Sequence, residues 1–354
     1  MDVSLVPFDP RQASREEWAR FHVFRRLRHE EENPGDPLTD DSTDETWMRR
    51  GDPEAEEIRF AAIQSGEPEE VIGWLYFSVY REGSPTYATR EKEARVSVQV
   101  LQPYRRRGVG RMLLAKAAEL ARERGKSLVI GGTQEADGFA FVEAIGAQVG
   151  QRNRESRLHM DRVDWEMVER WAEEGPRRSP RTTLQWLGDH VPDDIVEEYC
   201  EVLTESLNEA PRDELETGDM AITPEVNRYW EDNIKESGGR GLDVIGREGD
   251  GAISGITAMG YWPDQKTMIH QFITGVRPPY RGRGLGKWLK AANLLRVRRE
   301  LPQVAVVVTG NATTNAAMLA INERLGFRKH REGIMAQMSL EALEEYLNGR
   351  RSHE

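Results

Sequence analysis

The chain has 354 residues, 38% of them hydrophobic, with 49 Lys and Arg against 61 Asp and Glu, a formal charge of −12. That length predicts two domains of ordinary size, and the acidic balance excludes a broad nucleic-acid surface, which needs a basic stripe. The single cysteine, Cys200, excludes an internal disulfide; with no basic start leading into an apolar run and no apolar stretch of membrane length, the chain is expected to be cytoplasmic with no membrane partner.

In chain order, Val3 to Phe8 reads as a short strand. Ser14 and Glu17 have the spacing of a capping box heading a helix to about Arg28. The acidic, Pro- and Gly-containing stretch from Glu30 to Asp44 reads as a mobile loop. Strand patterns follow at Glu57 to Ile63, Val71 to Tyr80 and Arg95 to Leu101, where Val96, Val98 and Val100 alternate with polar residues. Next comes a glycine loop, Pro103-Tyr104-Arg105-Arg106-Arg107-Gly108-Val109-Gly110, and a helix with Val109, Met112, Leu113, Leu120 and Ala121 along one stripe. Ser127 to Ile130 has a buried-strand pattern, and Phe139 to Ile145 a short-helix pattern.

Asp164 to Glu174 predicts a connecting helix, stopped by Gly175-Pro176-Arg177-Arg178-Ser179-Pro180. The element order then starts again. Thr182 to Trp186 is a strand, Asp193 to Leu207 a helix, and Pro224 to Glu236 a helix capped by Thr223. Strand patterns cover Leu242 to Ile245, Ala252 to Met259 and Met268 to Val276. A second glycine loop, Pro279-Tyr280-Arg281-Gly282-Arg283-Gly284-Leu285-Gly286, feeds a helix carrying Trp288, Leu289, Ala292 and Leu295; a strand at Ala305 to Val308, a helix at Asn315 to Leu325, strand residues at Phe327 and Ile334 to Leu340, and a terminal helix follow. The expected division is an N-terminal domain over 1–160, a linking helix and boundary over 161–180, a C-terminal domain over 181–340 and a tail over 341–354.

Counted from Pro103 and Pro279, 8 of 13 positions in the two loops are identical. A strand that turns through glycines into a helix presents first-turn amides with no internal acceptors, and a diphosphate supplies acceptors at the favourable end of the dipole. Gly282, Gly284 and Gly286 allow the turn and a close ligand approach. Arg281, Arg283 and Lys287 offer charge-assisted contacts, as do Arg105 and Arg107 beside Gly108 and Gly110. Neither copy has the Walker Gly-Lys-Ser/Thr ending or the Gly-x-Gly-x-x-Gly of dinucleotide sites; both read Arg-x-x-Gly-x-Gly. Histidines and the lone cysteine are scattered without ligand spacing, so no metal site is expected.

With this motif in two strand–loop–helix–strand–helix settings, the sequence resembles a tandem GCN5-related N-acetyltransferase. The resemblance implies a mixed α/β fold in duplicate, each copy a splayed mixed sheet flanked by helices. It further implies acetyl-CoA as acyl donor, its diphosphate on the Arg281 to Lys287 loop, Leu285 included, and its pantetheine arm beside Thr274-Gly275-Val276. Asn311, then Asn315 and Asn322 before Leu325-Gly326-Phe327, resemble the family's Asn-x-x-Ala-x-x-Leu-Tyr-x-x-x-Gly-Phe helix. Asn315 would face the cofactor, and Asn322 stands where a tyrosine often acts as general acid; an amide can bond the thiolate but not protonate it.

Family members often carry a glutamate base 11 residues before the loop's first basic residue. That count reaches His270 from Arg281 and the inert Ala94 from Arg105. Histidine suits the role, and Thr274 is expected to share its strand face, with Gln271 and Ile273 on the other. Backbone amides near Val276 would polarise the thioester carbonyl. The first copy lacks both asparagine and tyrosine in its last helix, so the C-terminal domain is the expected catalyst and the N-terminal one degenerate. The acceptor is expected to be a small-molecule amine, a cationic one if Asp264, Glu231 and Asp232 form an acidic collar beside Tyr229 and Trp230. A non-catalytic acyl-CoA binder, another acyl group, a hydroxyl acceptor and an enzyme like the mycothiol synthases remain open, as does the oligomeric state.

Overall fold

In the computed structural model, which describes residues 2–66 and 68–349, the chain forms two compact units. Unit 1 comprises Met1–Gln151, Asp213–Gly218 and Gly333–Glu354; unit 2 comprises Arg152–Arg212 and Asp219–Glu332. The expected boundary therefore moves: the linking helix belongs to unit 2 and the terminal helix to unit 1, because the last strand of each sequence half closes the sheet built by the other half.

In unit 1, β1 (Val3–Pro7), β2 (Ala55–Gln64), β3 (Glu70–Tyr80) and β4 (Glu93–Val100) pair in succession, antiparallel. β4 then pairs parallel with β5 (Leu128–Thr133), but only from Glu93 to Arg95. Residues Ile334–Ser339 of β12 (Arg328–Ser339) close the sheet against β5. On one face lie α1 (Arg15–Glu32) and α2 (Asp41–Arg50), with a short α3 (Tyr87–Arg90) before β4. On the other lie α4 (Val109–Glu123) and α11 (Leu340–Leu347), whose Leu343 joins the core of Leu113, Ala117 and Leu120; α5 (Ala136–Ile145) adds Phe141 and Ile145. Helix α1 starts with both bonds of the predicted Ser14–Glu17 capping box. The expected mobile loop is helical at both ends: α1 continues to Glu32, and α2 begins at Asp41, which pairs with Arg25 and Arg26, so that only residues 33–40 lie outside a helix.

Unit 2 repeats the plan. Its strand order is β6–β11–β10–β9–β8–β7, from β6 (Gln148–His159), β7 (Thr182–Leu187), β8 (Arg240–Glu248), β9 (Ile253–Tyr261), β10 (Met268–Val276) and β11 (Val306–Ala312). β10 and β11 pair parallel from Met268 to Gln271 and then diverge. Helices α7 (Val196–Asn208) and α8 (Pro224–Glu236) lie over Ile245, Ile253 and Ile256 on one face. On the opposite face α6 (Trp165–Arg178) and α9 (Leu285–Glu300) enclose Trp171, Leu294 and Val297 with Ile269 and Phe327, and α10 (Ala316–Leu325) contributes Leu325. Each such large side chain contributes about 1.5–3 kcal/mol on burial.

Helix α6 does not stop at Gly175-Pro176. It runs to Arg178, with the proline in its last turn, where only one ladder bond is lost. Gly175 is required by packing: a Cβ there would lie 2.2 Å from the Trp288 ring of α9. No helix among the described residues is long and apolar enough to cross a membrane.

Candidate functional site

The two glycine loops have nearly the same backbone. Gly108 and Gly284 are the N-caps of α4 and α9, at φ of +88° and +83°, and neither helix has a side-chain cap. Two positions earlier in each turn, Gly282 is at φ +78°, while its counterpart Arg106 is forced to φ +61°. A left-handed arginine costs about 1 kcal/mol or more. Arg106→Gly should therefore raise unfolding stability by about 1 kcal/mol, read as a later urea midpoint at unchanged slope.

The first arginine of each loop braces the turn. Arg105 Nε donates to the Val100 carbonyl at 3.0 Å, and Arg281 Nε to the Val276 carbonyl at 2.9 Å. Arg105 also pairs with Glu135 at 2.7 Å and Asp137 at 2.8 Å, and Arg281 pairs with Glu209. Arg283 is held by Glu248 at 3.1 Å and lies over the Tyr280 ring. These arginines, expected as phosphate contacts, are tied to acids on neighbouring elements. Leu285 is a core side chain, so only its backbone is available to a ligand.

A cleft of about 640 Å³ opens in unit 1, where β4 and β5 diverge. Arg106, Gly108 and Gly110 line it beside Val98, Phe141 and Tyr346, whereas Arg107 stands exposed outside it. Its wall includes buried Arg28, which pairs with Glu31 and Glu135. A nucleotide's diphosphate and an extended thiol arm fit such a cleft: amides at one end, an apolar channel between splayed strands at the other.

In unit 2, β10 has a bulge at Phe272, where two of its residues face one step of β9. Its effect is to regroup the side chains. Gln271 Nε2 reaches Thr257 Oγ1 at 3.0 Å, and Thr257 and Thr274 share a hydroxyl bond of 2.8 Å. Ile273 packs toward α7. Thr274 thus shares its face with Gln271 rather than with His270, a correction caused by the extra residue. Lys290 of α9, 1% exposed, donates to Gln271 Oε1 at 3.0 Å, and burial pushes its amine down to about 7.

His270 itself lies on the α7 and α8 face. Its Nε2 is 2.9 Å from Gln265 Oε1, and its ring meets the edge of Trp262 at 6.0 Å. Phe272, 54% exposed, lies on Gly260, where a Cβ would come within 2.6 Å of its ring. Because β4 has no such bulge, counting along the chain misaligns the copies. Ala94 faces the α4 core as Ile269 faces α9, and Arg95, which lies over the Tyr80 ring, takes the face of His270.

Asn315 Oδ1 caps α10 through the Met318 amide at 3.2 Å. Asn322 is 1% exposed, and its amide donates to Asn311 Oδ1 at 2.9 Å. At the position where a tyrosine was expected as general acid, Asn322 thus forms a buried amide pair. Near Val276, the Arg277 amide is engaged with the Ser254 carbonyl. Of the acids expected as a collar, Glu231 accepts from Val191, Asn227 and Arg228 and pairs with His190, and Asp232 and Asp264 have partners of their own. Trp230 packs on the α7 core. No group of three or more His, Cys, Asp or Glu among the described residues is placed to hold a metal. The sequence reading missed Gln265, Arg28, Glu135 and Arg324; it named Lys287 as a phosphate contact, and Arg177 and Arg178 only as a boundary signal.

Residues 20–140, all in unit 1, match the model of the acetyltransferase (GNAT) family. No curated protein matches the chain. Among solved structures, a tandem GNAT protein from the clavulanic acid biosynthesis pathway, without AcCoA, is 24% identical with a TM-score of 0.76, covering 96% of this chain and 99% of its own. A GCN5-related N-acetyltransferase from Sphaerobacter thermophilus is 14% identical with a TM-score of 0.62, covering 96% of both chains. A fungal glucosamine N-acetyltransferase region within a multi-domain GH3 β-N-acetylglucosaminidase is 12% identical with a TM-score of 0.61, covering 95% of this chain and 38% of that one. At these identities the likeness is one of fold. Residues 20–140 thus carry the match to the GNAT acetyltransferase family, and the chain as a whole shares the fold of a tandem GNAT protein.

Proposed function

We propose that the chain moves an acetyl group from acetyl-CoA to a primary amine of a small molecule, by direct attack in a ternary complex, and that unit 2 performs the transfer. The observation that carries this reading is the position of His270, on the bulged strand that runs into the Gly282–Gly286 loop. Gln265 Oε1 accepts the Nε2 proton, which places the basic lone pair of the neutral imidazole on Nδ1. The amine nitrogen attacks the acyl carbon, the C–N bond forms, the C–S bond breaks with its electron pair on sulfur, and the ammonium proton passes to His270. With Asn322 buried against Asn311, the thiolate leaves unprotonated, as its modest basicity allows. Nothing in this sequence of bonds requires a metal.

Unit 1 supports binding without transfer. Its cleft suits the coenzyme, but Arg95 occupies the face where unit 2 has its base. A small amine acceptor and a cytoplasmic setting, where acetyl-CoA is made and used, complete the reading.

Thiol release from acetyl-CoA, measured against a panel of primary amines, tests it. Turnover is expected with at least one amine; it should survive Gly110→Trp, which fills the cleft of unit 1, and vanish in Gly286→Trp. Tight coenzyme binding with no transfer to any acceptor would replace this reading with that of a non-catalytic acyl-CoA-binding protein.

A further inference from the structure

Three cations of unit 2 converge beside the second glycine loop without an ion-pair partner among the described residues: Arg178 of α6, Lys287 of α9 and Arg324 of α10. The Arg178 guanidinium lies directly over the loop, with Cζ, Nε and Nη1 3.2, 3.3 and 3.4 Å from where a Cβ of Gly284 would be. Lys287 Nζ and the Arg324 guanidinium both sit over the Trp171 ring, at 5.3 and 5.5 Å from its centroid. Partial burial pushes the Lys287 amine down, Arg324 and Arg178 push it further, and Glu174 opposes them. Like charges held together in this way repel, and a chain with 61 acids has ample carboxylates with which to neutralise them. Elsewhere on the two loops that has happened: Arg105, Arg281 and Arg283 all have glutamate partners.

Resting on the reading that unit 2 binds coenzyme A, we infer that Arg178, Lys287 and Arg324 form the seat of its ribose 3′-phosphate. The charge count selects this group. First-turn amides at the head of α9 suffice for a diphosphate, so the three cations are in excess of it. Offset by Glu174, the carboxylate that acts on Lys287 among the described residues, they leave about two positive charges, which a phosphomonoester dianion matches. Unit 1 handles the corresponding place differently. Arg111 lies over the Tyr346 ring of α11, as Lys287 lies over Trp171, but its guanidinium donates to the Leu347 carbonyl. The seat is therefore specific to unit 2, where α6 follows its closing strand as α11 does in unit 1 but supplies Arg178.

Calorimetric titration with coenzyme A and with 3′-dephospho-coenzyme A tests the assignment, in the unaltered full-length chain and in the Gly110→Trp variant, where unit 2 is observed alone. The 3′-phosphate should tighten binding to unit 2 by about tenfold or more, the effect of one charge-assisted contact. In the Arg178→Ala/Arg324→Ala double variant that ratio should fall to about twofold or less, while Arg299→Ala, at the far end of α9, leaves it unchanged. Equal affinity for the two ligands at unit 2, or a ratio that persists in the double variant, overturns the inference while leaving coenzyme binding intact. Binding of neither ligand at unit 2 overturns the underlying reading with it.

Discussion

Substitution of His270 by alanine is expected to lower kcat/KM for the amine by about 10²–10⁴-fold, or roughly 3–5 kcal/mol of transition-state stabilisation. Acetyl-CoA affinity should not change, because His270 points to the α7 and α8 face, away from the loop proposed to hold the diphosphate. The size follows from what the side chain does: at neutral pH most of a primary amine is protonated, and the acceptor gains a proton equivalent to lose as the C–N bond forms. Free imidazole added to the variant should restore part of the rate, which a purely structural histidine would not permit. Gln265→Leu should give a smaller loss, since it removes the group that orients the ring and leaves the base in place. Undiminished turnover in His270→Ala would eliminate the assigned role outright.

Lys290→Met should change how stability depends on pH. In the fold the Lys290 amine is held near 7 by burial, whereas in the unfolded chain it returns to about 10.5. Between those values the unfolded chain binds more protons than the folded one, so the lysine protein gains stability as pH rises from about 7 toward 10.5 and carries the full cost of a buried charge below 7. The methionine variant has no such group. Its stability relative to the parent should therefore fall by about 2–3 kcal/mol between pH 7 and pH 9, at roughly 1.4 kcal/mol per pH unit. The lost bond to Gln271 Oε1 subtracts a pH-independent amount and cannot imitate that slope. Urea unfolding of both proteins at the two pH values measures it, and parallel curves would show that Lys290 does not titrate in this window.

Much of this architecture could be read from the residues. The β10 strand runs from Met268 to Val276 as its alternation indicates, α8 begins at Pro224 behind Thr223, and both glycine loops turn into helices at the expected residues. Local signals of that kind depend only on neighbours along the chain. The misses depend on partners. Strand β6, Gln148–His159, is largely polar, because charge pairs such as Glu155 with Arg331 and Arg157 replace apolar burial along it. The bulge at Phe272 exists only relative to β9, and it alone moved Thr274 to the wrong expected face and made Ala94 the wrong counterpart of His270. Arg178, Lys287 and Arg324 lie on three helices, so no spacing in the sequence relates them.

The exchange of closing strands also sets an order of events during synthesis. When the ribosome has released everything up to Ile145, β5 has its parallel neighbour β4 on one side and bare backbone on the other, since residues 334–339 have yet to be made. For nearly two hundred further residues the first half carries an open sheet edge able to template pairing with any extended chain. Its sheet is completed only by residues 334–339, so truncation before Gly333 would damage the first half of the chain as well as the second.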